Sequence, residues 1–158
     1  MWPPAPFVGA LEALPRVDDR RIRWTGRDQW HVTLRYLGDV DPEPVATALA
    51  GIRLPPADIV FGPRVVRWGV ALAVIPVEGL DTLAAAVRTA TAGIVPPDER
   101  PFRGHLTVAR ARGRARLPLA AVGASVAGSA RVDEFALVAS DLTPDGARYR
   151  TLERWRLG

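Results

Sequence analysis

Only two histidines occur in this 158-residue chain, and each opens the same tetrapeptide pattern: His31-Val32-Thr33-Leu34 and His105-Leu106-Thr107-Val108. In an extended strand successive side chains alternate faces, so each imidazole shares a face with the threonine hydroxyl two positions on. Val32, Leu34, Leu106 and Val108 then point the other way, which suits a core. Laid side by side, two such strands line one cleft with two imidazoles and two hydroxyls. Imidazole titrates near neutrality, so one ring can take a proton while the other gives one.

The surrounding elements must position these strands. Phe7, Val8, Leu11 and Leu14 fall at helical spacing, which predicts a helix over Ala5 to Leu14 ended by Pro15. A short strand is expected at Arg21 to Trp24, then the first motif strand from Gln29 to Leu37. Asp41-Pro42-Glu43 reads as a helix start, with Asp41 as cap and proline where a missing N–H matters least; that helix runs to about Ala50. Residues 58 to 77 hold β-branched runs broken by Gly62-Pro63 and Gly69, giving two or three strands. An alanine-rich helix over Asp81 to Ala92 and a proline-containing loop lead into the second motif strand, Phe102 to Ala109. A short helix is expected within Pro118 to Val126. Thr143-Pro144-Asp145-Gly146 predicts the turn of a C-terminal hairpin, Val132 to Asp141 with Ala147 to Leu157. Both motifs follow a helix, 74 positions apart (105 minus 31), which suggests two similar lobes within one domain, residues 1–158.

Composition narrows the chemistry. There is no cysteine, which removes disulfides, thiolate metal sites and a cysteine nucleophile. No apolar run reaches the roughly 18–20 residues of a membrane span, and no signal-peptide pattern follows Met1, so a cytoplasmic protein with no membrane partner is expected, as a monomer. All 21 basic residues are arginine, a bias that GC-rich coding explains, while the net charge of +4 favours phosphate-bearing partners.

Two segments carry a resemblance. Trp30-His31-Val32-Thr33-Leu34-Arg35-Tyr36-Leu37-Gly38 and Arg100-Pro101-Phe102-Arg103-Gly104-His105-Leu106-Thr107-Val108-Ala109-Arg110 resemble the paired motifs of the 2H phosphoesterases, in particular the bacterial RNA 2′,3′-cyclic phosphodiesterases, or 2′-5′ RNA ligase-like proteins. Phe135 to Ser140 with Gly146-Ala147-Arg148-Tyr149 is similar to that family's closing hairpin. The resemblance implies an α+β fold of two pseudo-symmetric lobes, each an antiparallel sheet with helices outside, and one His-x-Thr strand from each lobe at a central cleft. Two departures stand out. The family's first strand has no counterpart ahead of Trp2-Pro3-Pro4, and Gly104 stands where proline is frequent.

The implied activity is metal-independent hydrolysis of RNA 2′,3′-cyclic phosphate ends to 2′-phosphomonoesters, with no cofactor and no metal. His31 and His105 are the implied catalytic pair, Thr33 and Thr107 phosphate ligands, and Arg110 a further phosphate ligand. One allocation makes His31 the acid on the leaving O3′ and His105 the base for water; the reverse stays open. Phe102 opens the second motif strand and is a candidate stacking face for a base. Trp30 and Tyr36, opposite His31 by alternation, are expected in the core. Arg35 and Arg103, on the His faces, and the alternating Arg110, Arg112, Arg114 and Arg116 are candidates to meet RNA phosphates. A non-catalytic RNA- or nucleotide-binding module, and an enzyme for cyclic nucleotides or 2′-5′ linkages, including weak ligation, are the competing readings.

Overall fold

The structure, a computed structural model, describes residues 1–96, 100–113, 116–143 and 146–158. Helix α1 (Ala5–Glu12) buries Phe7 and Leu11, and Phe7 stacks on Phe61 with ring centroids 4.0 Å apart. Strand β1 (Ile22–Trp24) is followed by a 3-10 turn (Arg27–Gln29) and the first motif. Helix α2 (Pro42–Leu49) starts as the sequence predicts, the Asp41 carboxylate accepting from Glu43 N at 3.1 Å. Residues 57–78 give three strands: β2 (Ala57–Phe61), β3 (Val66–Trp68) and β4 (Leu72–Glu78). Helix α3 (Asp81–Ala90) packs Leu83, Ala84 and Val87 inward. Strand β5 (His105–Ala111) carries the second motif. Strands β6 (Gly128–Val132), β7 (Glu134–Thr143) and β8 (Gly146–Arg156) complete the chain.

The result is the α+β, two-lobed antiparallel architecture the motifs implied. Five strands run in the order β1-β5-β4-β2-β6, with β3 also paired to β4, while β7 and β8 form a separate hairpin. β4 sits at the centre and buries Ala73, Val74, Ile75 and Val77, as a strand covered on both faces must. The expected helix within Pro118 to Val126 is a single 3-10 turn, Leu119–Ala121. β6 has no sequence expectation behind it, because Gly-Ser-Ala-Arg carries little strand propensity. Its pairing with β2 is read from packing instead: a Cβ at Gly128 would lie 2.5 Å from the Phe61 ring. Pro144 and Asp145, the centre of the expected hairpin turn, lie outside the described residues, but Thr143 and Gly146 pair on either side of them.

The first motif is where expectation and structure part. Gln29 to Leu37 is not a ladder strand. Val32 alone bridges to Leu106, and its N–H and C=O both pair with Met1. The chain bends at Leu34, which ends strict alternation: Trp30 is buried as expected (3% exposed), whereas Tyr36 stands 81% exposed instead of in the core.

Arg35, a candidate to meet RNA phosphates, is engaged within the protein instead. Its guanidinium donates to Arg88 O (2.9 Å), Thr91 Oγ1 (2.6 Å), Val95 O (3.0 Å) and Pro96 O (2.9 Å), capping the carbonyl end of α3 and the loop beyond it. Arg35→Met should therefore cost about 2–3 kcal/mol, since several acceptors lose one charged donor together. A urea titration checks this; an unchanged midpoint would show that the clamp contributes nothing.

Candidate active site

The Val32–Leu106 bridge is the centre of the site. Its antiparallel register sets His31 across from Thr107, and Thr33 across from His105. Val32 and Leu106 are fully buried beneath, while both histidines and Thr107 are half-buried and Thr33 is exposed. The four motif side chains thus meet on one face about a local two-fold arrangement.

Both imidazoles are held in the same way. His31 Nδ1 lies 2.8 Å from Gln29 O, and His105 Nδ1 lies 2.8 Å from Arg103 O. A carbonyl can only accept, so Nδ1 carries the proton in each ring. Nε2 is then the nitrogen each ring can offer to a ligand: able to accept a proton in the neutral ring and to give one in the cation.

The rings differ in their surroundings. His31 lies under the hairpin, tilted against Tyr149 (centroids 4.5 Å apart) and edge-on to Trp2 (6.2 Å). That cover is pinned by Trp2 Nε1 donating to Thr151 Oγ1 (3.1 Å) and Gln29 Nε2 donating to Ala147 O (3.0 Å). Burial pushes the His31 imidazole below its ordinary value; the Gln29 carbonyl opposes this, and the positive charges at the Met1 amine, Arg110 and His105 add to it. His105 instead stacks on Trp68, centroids 4.4 Å apart and planes 24° from parallel. Trp68 pairs with Leu72 and His105 with Pro76, so the indole reaches diagonally across β4.

Arg110 reaches this face only because β5 is irregular. Simple alternation from His105 and Thr107 would put Ala109 on the site face and Arg110 in the core. The β4–β5 register instead passes from Val74↔Thr107 to Ala73↔Ala109, leaving Val108 as an extra residue. Val108 (3% exposed) and Ala109 (0%) are consequently both buried, and half-buried Arg110 returns to the side of His105 and Thr107. Among the described residues its guanidinium has no carboxylate or carbonyl partner.

Phe102 is half-buried and packs against the core, while the aromatic rings in contact with the imidazoles are Trp2, Trp68 and Tyr149. Sequence patterning marks none of those three for the site, because each reaches it from a distant element. Arg103 is exposed, and its carbonyl serves His105. Of the arginine alternation, Arg112 is exposed, its N–H and Nε donating to Arg21 O and Ile22 O, and Arg114 lies outside the described residues. Gly104 answers a close approach, since a Cβ there would sit 2.2 Å from Val77 O.

With this geometry in place, comparisons with known proteins bear on what it is. The family pattern of the 2′-5′ RNA ligase superfamily matches residues 3–144. The chain belongs to that superfamily. It is 31% identical over 147 residues to the RNA 2′,3′-cyclic phosphodiesterase of Thermus thermophilus, covering 82% of this chain and 72% of that one. A crystal structure of a Thermus thermophilus protein superposes with a TM-score of 0.75 at 25% identity, over 97% of this chain and 90% of that one. Escherichia coli LigT complexed with 3′-AMP gives a TM-score of 0.67 at 28% identity, over 87% and 82%. Membership of the 2′-5′ RNA ligase superfamily makes this chain a 2H phosphoesterase. Among its described residues no helix is long and apolar enough to cross a membrane.

Proposed function

We propose that this phosphoesterase hydrolyses RNA 2′,3′-cyclic phosphate ends to 2′-phosphomonoesters, using His31 and His105 as the proton-transfer pair. The observation that carries the reading is the matched hold on the two rings, Nδ1 to the carbonyl two residues back, which leaves two Nε2 atoms for one substrate. The name of the Thermus thermophilus relative, and structures of LigT with 3′-AMP and with phosphate, support a cyclic phosphate of RNA as the substrate.

In the reaction, water attacks phosphorus as His31 Nε2 takes its proton, and the P–O3′ bond breaks as His105 Nε2–H protonates the departing oxygen. Proton exchange with solvent resets both rings. Thr33, Thr107 and Arg110 donate to the non-bridging oxygens, where charge builds. The scheme uses no cofactor and no metal.

This allocation reverses the one taken from the motifs alone, and the environment of each ring is the reason. Burial favours neutral His31, the form a base needs, which leaves His105, stacked on Trp68, as the acid. The sign of the pH dependence follows. Protonating the base abolishes turnover, and a lowered His31 value keeps it neutral further into acid. The acidic limb of kcat/KM should lie below the ordinary imidazole value of 6.5, and Arg110→Ala should move it upward. A limb above 6.5 in the wild type would contradict His31 as the base.

The direct test is a short RNA ending in a 2′,3′-cyclic phosphate, incubated with the protein and a chelator, with the products resolved. A 2′-phosphate is expected. A 3′-phosphate would show that the P–O2′ bond breaks instead of P–O3′ and contradict the proposed product, and the absence of turnover would overturn the reading.

A further inference from the structure

We infer that Thr25 is a positioning residue for Arg110, acting by holding open the β5 bulge. Thr25 follows β1 and is buried (6% exposed), one of few buried polar side chains among the described residues. Its Oγ1 lies 2.9 Å from Thr107 O and 3.0 Å from Val108 O, and its N–H donates to Val108 O at 2.9 Å. In a regular strand consecutive carbonyls point to opposite edges, so one side chain cannot reach both. Here it does. The two carbonyls turned toward Thr25 flank the extra residue; the N–H donates to Val108 O, which leaves the hydroxyl proton for Thr107 O.

Arg110 lies two residues beyond the bulge, in a cross-strand row with Arg23 and Leu72. Without the extra residue, period-two alternation returns and directs Arg110 to the side that Leu106 and Val108 occupy in the core. A guanidinium cannot settle there unpaired, so β5 would distort and the cation would leave the imidazole face. Thr25 touches no substrate in this arrangement. It sets which way another residue points, 85 positions along the chain (110 minus 25).

The inference rests on Arg110 belonging to the phosphate site, and the test separates the two. Thr25→Val, Thr25→Ala and Thr25→Ser are compared in the wild-type and Arg110→Ala backgrounds. Turnover of a cyclic-phosphate RNA end is one readout; the NMR titration of the His31 ring is the other, assigned with His31→Ala. Removing the hydroxyl should lower kcat about tenfold, within the cost of a displaced catalytic group, with Thr25→Ser close to wild type. Beside burial, the main cause, the Arg110 charge adds to the lowering of the His31 value, so Thr25→Val should raise that midpoint, as Arg110→Ala should. In the Arg110→Ala background Thr25→Val should add nothing to either readout, as two residues acting through one contact require.

Full additivity in both readouts would overturn the inference, as would a wild-type rate and midpoint in both Thr25→Val and Thr25→Ala. If Arg110→Ala turns over normally, its phosphate role falls, yet a non-additive shift of His31 would still uphold Thr25 as its positioner. Should Thr25→Val fail to fold, Thr25→Ala leaves the backbone bond in place and carries the same comparison.

Discussion

His105→Ala, and separately His31→Ala, should each lower kcat on a cyclic-phosphate RNA end by at least about 100-fold, the lower bound for losing a positioned proton-transfer group. The two losses should not multiply. Once either ring is gone, attack and departure are no longer assisted together, so the double variant should resemble the worse single one. Stability is a separate question, and each ring makes one backbone hydrogen bond and one or two aromatic contacts at the half-buried cleft. Urea midpoints should thus move far less than turnover. Single-turnover rates on the two variants, beside their unfolding curves, decide the matter. Rates within tenfold of wild type in either folded variant would remove that histidine from the mechanism.

The second large effect belongs to Arg110. Its guanidinium stands on the imidazole face without a protein partner among the described residues, and its charge is felt at His31. A free cation close to an imidazole is unfavourable until an anion arrives between them; a phosphate supplies that anion. Arg110→Ala should therefore cost about 10²–10³ in kcat, comparable to losing one donor to a developing oxyanion, or roughly 2.7–4 kcal/mol. Arg110→Lys keeps the charge and loses the planar fork, so it should recover only part of the rate. A lysine variant at full activity would show that charge alone is needed, and an alanine variant at full activity would exclude the contact.

Much of this architecture is legible in the sequence because local rules dominate where they apply. Asp41-Pro42 starts α2, the alanine-rich run makes α3, and the strands over residues 57–78 break at glycine and proline. Val32 and Leu106, which alternation turns away from the His-x-Thr side chains, are buried as that pattern asks. What alternation could not reveal lies where the strand stops being regular. Tyr36 leaves the core because the chain bends at Leu34, and Arg110 reaches the site because β5 carries one residue too many. Trp68, Tyr149 and Trp2 are out of reach for a different reason: their contacts with the imidazoles span long stretches of sequence, and no short-range pattern encodes them. Arg35 shares a strand face with His31 in sequence, but four acceptors around the end of α3 claim it.

The carbonyls that hold the two imidazoles belong to the backbone, and this bears on how the site can vary over generations. Every amino acid supplies a carbonyl, so no substitution at position 29 or 103 removes the acceptor that fixes each ring's tautomer. A catalytic histidine oriented by an aspartate can lose its orientation through one codon change; these two cannot. The side chains of Gln29 and Arg103 are consequently free of that duty. Gln29 spends its amide on the hairpin, and Arg103 is exposed beside the cleft. A substitution at Arg103 can change what approaches the cleft while both imidazoles keep their hold and their tautomer.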